Sequence, residues 1–149
     1  KEVAPSREVL ISPFFHTHIT SPYKDRGYTP EEHYEAWDKL FSYGGEAIDI
    51  CAFQDGTAPL AQMDDYFGKT KELCDKYNIR HWVNAETFER DVRCMYYPIP
   101  FNMLKERLDH HEKYAEKIIT FEFSHFLSPQ SIYPSARNLN NLYKKHYLK

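Results

Sequence analysis

Asn84 and Glu86 stand two residues apart at the end of the segment Trp82-Val83-Asn84-Ala85-Glu86. In an extended chain their side chains leave the same face. A carboxylate held beside an amide at a strand's end can serve as nucleophile or general acid/base in glycoside hydrolysis, with the amide orienting a hydroxyl. Glu122 is expected to point the same way from the middle of a later strand. Neighbouring strands lie about 4.8 Å apart, so the two carboxyls could approach the roughly 5 to 5.5 Å of a retaining pair. Gln54-Asp55-Gly56 closes a third segment. Gln54 and Asp55 suit substrate hydroxyls, Asp55 is a further candidate acid or base, and Asp-Gly is equally good turn chemistry. His16-Thr17-His18 is the rival signal, because alternate positions bring two imidazoles to one side as metal ligands do, and Asp55, Glu86 and His125 could complete such a shell. The motif is short in a chain with eight histidines, so no metal is assigned. His16 and His125 are taken instead as substrate-binding positions.

Each cluster sits where a strand hands over to a helix. Strands are expected over 8–12, 47–53, 81–86 and 118–124, and helices over 30–43, 60–77, 101–117 and 135–147. The first helix is well signalled: Thr29 can cap it, Pro30 fits its first position and Glu32 completes a capping box. Gly44-Gly45 suggests a left-handed stop, and Asn78 closes the second helix. Strands alternating with helices at this spacing imply βαβ units and a parallel sheet, which gathers all the clusters at one end. Side-chain alternation predicts one helix-packing face and one polar face. Val9 and Ile11 oppose Ser12 and His16; Ile48, Ile50 and Ala52 oppose Asp49, Cys51 and Asp55. Val83 and Ala85 oppose Trp82, Asn84 and Glu86; Ile119, Phe121 and Phe123 oppose Thr120, Glu122 and Ser124. A doubly wound sheet would be apolar on both faces. A barrel turns its polar face inward. A (β/α)8 barrel takes about 250 residues and this chain has 149. The expected fold is therefore α/β, four consecutive βα units forming the second half of such a barrel. The first half would come from outside this chain or from a second copy.

Hydrophobic residues make up 42% of the chain and charged residues 28%, ordinary for one globular core. Aromatics reach 16%, enough to line a cleft that stacks on flat sugar faces, with Trp82, Tyr96 and Tyr97 as candidates. A net charge of −3 with no basic run argues against a nucleic-acid partner. No apolar run approaches the roughly 20 residues that span a bilayer. The cysteines, Cys51, Cys74 and Cys94, lack the pairing of a disulfide framework or the spacing of a zinc site. With no glycine-rich phosphate loop and no G-x-S-x-G elbow, no cofactor is expected.

Several motifs together resemble one family. They are Ile11-Ser12-Pro13-Phe14-Phe15, Thr29-Pro30-Glu31-Glu32 with Trp37, Gln54-Asp55-Gly56, Trp82-Val83-Asn84-Ala85-Glu86-Thr87-Phe88-Glu89 and Phe121-Glu122-Phe123-Ser124-His125-Phe126-Leu127-Ser128-Pro129. The family is domain-of-unknown-function family 4434, bacterial barrels related in fold to glycoside hydrolases, and the resemblance is to its C-terminal half. It implies a glycosidase-like barrel whose first four βα units precede this sequence. It also implies export to the periplasm or cell surface, with the signal outside this chain. On that frame Glu86 falls on the seventh strand, where clan A glycoside hydrolases hold their nucleophile, and the acid/base would come from the absent fourth strand. The expected activity is hydrolysis of a carbohydrate. A non-catalytic carbohydrate-binding barrel, and a metal-dependent hydrolase using His16 and His18, are the alternatives.

Overall fold

The computed structural model describes residues 6–14, 29–56, 58–90 and 95–148. The elements run β1 (Leu10–Ile11), α1 (Pro30–Gly44), a 3-10 turn (Gly45–Ala47), β2 (Ile50–Gln54), α2 (Leu60–Lys76) and β3 (Arg80–Glu86). There follow β4 (Phe88–Arg90), β5 (Tyr96–Pro98), α3 (Phe101–His111), β6 (Lys117–Phe121), α4 (Phe123–Phe126) and α5 (Pro134–Tyr147). The four helices and four strands expected from the sequence are all present. The β4–β5 hairpin and α4 were not anticipated.

Local chemistry explains most boundaries. Thr29 Oγ1 accepts from the Glu32 amide at 3.1 Å, and the Thr29 amide donates to Glu32 Oε2 at 2.8 Å. The predicted capping box thus starts α1, with Pro30 where a missing N–H costs nothing. At its other end the expected left-handed stop is absent. Neither Gly44 nor Gly45 has positive φ, and the helix tightens into the 3-10 turn instead. In α2, Met63, Tyr66, Phe67, Thr70 and Cys74 recur at helical spacing and are buried. Asn78, with φ of 55°, takes the left-handed conformation that turns the chain into β3.

The sheet is parallel and in sequential order, β1-β2-β3-β6. Right-handed crossovers between strands laid down in one direction keep every connecting helix on the same side. Two apolar clusters occupy that side. Phe41 of α1 and Met63, Tyr66, Phe67 and Cys74 of α2 pack on Cys51, Phe53 and Val83. Leu104 and Leu108 of α3 and Leu139 of α5 pack on Ala85 and Ile118. On the opposite face the edge-strand residues Leu10 and Phe121 are 42% and 47% exposed, while Ile50 and Ala52 between them are buried, and neither apolar cluster draws a helix residue onto that side.

Register corrects two of the face assignments. Parallel partners point to the same side. Gln54 pairs with Asn84, Asn84 with Ile119, and Glu86 with Phe121. In β2 the open face therefore carries Ile50, Ala52 and Gln54, while Cys51 and Phe53 face the helices, the reverse of the expected parity. Phe53, far larger than Ala52, decides it by burying completely among the rings of α1 and α2. In β6, Ile119 and Phe121 lie on the open face and Ile118 packs on the helices. The adjacent isoleucines made either parity readable. β6 also ends at Phe121, so Glu122 lies beyond the strand and not in its middle.

Cys51 and Cys74 are buried free thiols, and burial pushes the Cys51 thiol well above its ordinary value. Cys94 lies outside the described residues. No helix among the described residues is long and apolar enough to cross a membrane.

Two substitutions separate the contributions to stability. Phe53→Ala, which empties a fully buried ring site, is expected to cost about 3–5 kcal/mol in urea unfolding. Thr29→Ala, which removes only the cap, should cost about 1 kcal/mol.

Candidate active site

The carboxyl ends of β1, β2 and β3 are laced together by side chains. Asn84 Nδ2 donates to Ser12 Oγ at 3.0 Å, and Ser12 Oγ donates to the Ala52 carbonyl at 2.9 Å. Gln54 Nε2 donates to the Ser12 carbonyl at 2.8 Å. The Asn84 side-chain oxygen is buried and accepts no hydrogen bond among the described residues. Gln54 and Asn84 are thus brought together on the open face, as their motifs suggested. Ser12 joins them, and sequence reasoning had given it no role.

Glu86 ends β3 on the same face and is 7% exposed. Its carboxyl lies directly over Gly56. A β-carbon built on Gly56 would fall 2.0–2.1 Å from the carboxyl carbon and both oxygens of Glu86. The glycine is required here for space, not for an unusual φ. No ion pair or hydrogen bond engages the Glu86 carboxyl among the described residues. Burial pushes it up from 4.5 to about 7. The negative charge of Asp55 adds to the rise, Arg107 and Arg90 oppose it, and Glu89 adds slightly.

Asp55 continues β2 on its helix-facing side and is fully buried. Its Oδ1 accepts the Glu86 amide at 2.8 Å, and its Oδ2 accepts from His111 Nε2 at 2.7 Å. Arg107 Nη1 stands 4.0 Å from Asp55 Oδ1, and Arg107 Nη2 is bound to Glu89 Oε1 at 2.5 Å. Glu89, on β4, is therefore one end of a partly buried ion pair. Arg107 and His111 were missed as partners of this site. A signal existed: with Leu104 and Leu108 they occupy i, i+3, i+4 and i+7 of α3, so two polar residues sit on its apolar stripe.

Glu122 caps α4, its Oε1 accepting the Ser124 amide at 3.1 Å, and its Oε2 pairs with His125 Nδ1. Thr87 ties this corner to β3: its amide donates to the Phe121 carbonyl and its hydroxyl exchanges hydrogen bonds with the Glu122 backbone. The side chain of His125 is largely exposed. Tyr96 and Tyr97 are exposed on β5. The Tyr96 ring lies 5.0 Å from Phe88, which in turn lies 4.9 Å from Phe126 and 6.0 Å from Phe121. These rings form an apolar wall beside Glu86. Trp82 is not part of it. It lies four residues before Glu86, about 13 Å down the strand, between the Lys117 ammonium and the Arg80 guanidinium. His16 and His18 lie outside the described residues. Among the described residues no group of three or more His, Cys, Asp or Glu is placed to hold a metal ion.

A family model, "Domain of unknown function (DUF4434)", matches residues 1–133. The chain belongs to the DUF4434 family. Among solved structures it is similar to a crystal structure described as a putative alpha-L-fucosidase from Bacteroides thetaiotaomicron VPI-5482. The TM-score is 0.88 at 34% sequence identity, over 99% of this chain and 46% of that one. The chain thus spans about half the length of this relative. No curated protein matches it. The likeness to this neighbour gives the chain a glycoside-hydrolase-like α/β fold.

Gly56→Ala should leave the fold intact while displacing the Glu86 carboxyl, the movable end of a flexible side chain; a crystal structure of the variant would show the shift. Titration gives a second check. Because folding raises the proton affinity of Glu86, the folded state holds more protons between pH 4.5 and 7. Stability should fall as pH rises through that window, by an amount on the order of 3 kcal/mol from this group. In Glu86→Gln, unfolding measured across pH should lack that component.

Proposed function

We propose that this chain forms one half of a (β/α)8 barrel that hydrolyses a carbohydrate, with Glu86 as the general acid/base carboxyl that exchanges a proton at the scissile bond. The observation that carries this reading is a buried carboxyl that no ion pair or hydrogen bond engages among the described residues, at the carboxyl end of a parallel strand and on the face the helices leave open. A structural carboxylate is normally paired. This one has no such pair among the described residues and is pushed up to about 7, where a carboxyl can hold a proton or release it as the reaction requires. Singly wound strand order and one-sided helices are what half of a barrel would show, and four further βα units would cover the open face.

Gln54 and Asn84 would orient sugar hydroxyls, the free Asn84 oxygen accepting from one of them. The wall of Phe88, Phe121 and Phe126, with Tyr96 at its edge, would pack on the apolar face of the ring. Glu122 and His125 border this wall and would assist in binding. The second carboxyl of a hydrolytic pair would come from the other half of the barrel, across the open face from Glu86. The similarity to the Bacteroides protein supports an α-L-fucoside as the first substrate to try.

In the full-length protein, Glu86→Gln should lower kcat on an aryl α-L-fucoside, or on whichever aryl glycoside of a panel is cleaved, by about 10²–10⁴-fold with the fold unchanged. A variant that releases aglycone at the wild-type rate would defeat the assignment. Glycan binding without release by either form would point to a binding domain.

A further inference from the structure

We propose that Asp55 acts through Glu86 and not on the substrate: bound to the Glu86 amide and to His111, it fixes where the Glu86 carboxyl stands. The inference rests on Glu86 being the working carboxyl. It reassigns Asp55 and Gly56, but not Gln54, from a substrate-binding edge to a seat for that residue.

Three observations carry it. Asp55 is fully buried on the helix-facing side, and both of its oxygens are occupied, one by the Glu86 peptide and one by His111. An acceptor so placed has no line to a sugar on the open face. The contact is also specific. A carboxylate only accepts, so His111 must carry its proton on Nε2, and the ring is held edge-on against Phe67 at 4.5 Å. Finally, the next residue is Gly56, whose bare α-carbon is the surface on which the Glu86 carboxyl lies. Asp55 anchors the backbone of Glu86 and Gly56 leaves room for its head, so consecutive residues set both ends of one side chain.

The charged groups that act on Glu86 are Asp55 from the β2 turn, Arg107 from α3, and Arg90 and Glu89 from β4. Arg107 is itself held between Asp55 and Glu89, so the negative charge nearest the Glu86 backbone is fixed in place by α3. This charge supports the proton on Glu86, and a residue with a purely structural role would not do so.

The test uses the full-length protein labelled with ¹³C at glutamate side-chain carboxyls, the Glu86 signal being identified by its loss in Glu86→Gln. Asp55→Asn keeps an oxygen for the Glu86 amide and removes the charge. The Glu86 titration midpoint should fall by about one pH unit. The pH–kcat profile should move with it, and kcat should drop about tenfold or more with KM little changed. His111→Leu should shift the midpoint the same way, and His111→Gln, which retains an N–H for Asp55, should recover part of the loss. An unmoved midpoint in Asp55→Asn, or a change confined to KM, overturns the proposal. If Asp55→Asn does not fold, the His111 pair decides, and identical Leu and Gln variants overturn it. Normal hydrolysis by Glu86→Gln would instead refute the catalytic reading, while the titration would still report on Asp55.

Discussion

The buried carboxylate of Asp55 holds together three parts of the chain that are distant in sequence: the end of β2, the end of β3 and the last turn of α3. A charge in that position survives folding only if its lone pairs are met, and breaking such a buried pair costs about 3–5 kcal/mol. His111 and the Glu86 amide meet them, and the Arg107 guanidinium lies close enough to balance the charge. The rest of the site is arranged around that requirement. The β3 end is pinned at Glu86, Thr87 then ties it to β6, and the β4–β5 hairpin leaves from the pinned point carrying the aromatic wall.

Burial is distributed unevenly across the sheet, and that asymmetry places the chemistry. On the helix side, Cys51, Phe53, Val83 and Ala85 are completely covered. On the other side the strands carry amides, Glu86 and half-exposed rings. Both sheet edges, β1 and β6, lack a further strand partner among the described residues. An edge of unpaired amides and carbonyls beside exposed apolar side chains is a surface that proteins normally cover.

Much of this arrangement was legible in the sequence, for reasons that can be named. The α1 start is local chemistry within four residues. Glu86 and Asn84 share a face because β3 alternates cleanly between apolar and polar side chains. Where alternation failed, the reading failed. Ile118-Ile119 in β6 and Ala52-Phe53 in β2 offer apolar residues of both parities, and only the bulk available under the helices chose between them. Glu122 was read as mid-strand because the apolar pattern of Phe121 and Phe123 continues past the last ladder bond into α4. The link between Asp55 and His111 spans 56 positions; the polar residues on the stripe of α3 marked one end of it, and nothing local named the other.

The contact between Gly56 and Glu86 reaches beyond this one chain. Because a carboxyl rests where a side chain at position 56 would grow, the two positions cannot drift independently during evolution. A relative that acquires alanine at 56 must carry the acid head of residue 86 in a different place, so loss of the glycine would mark lineages in which that head has been re-aimed.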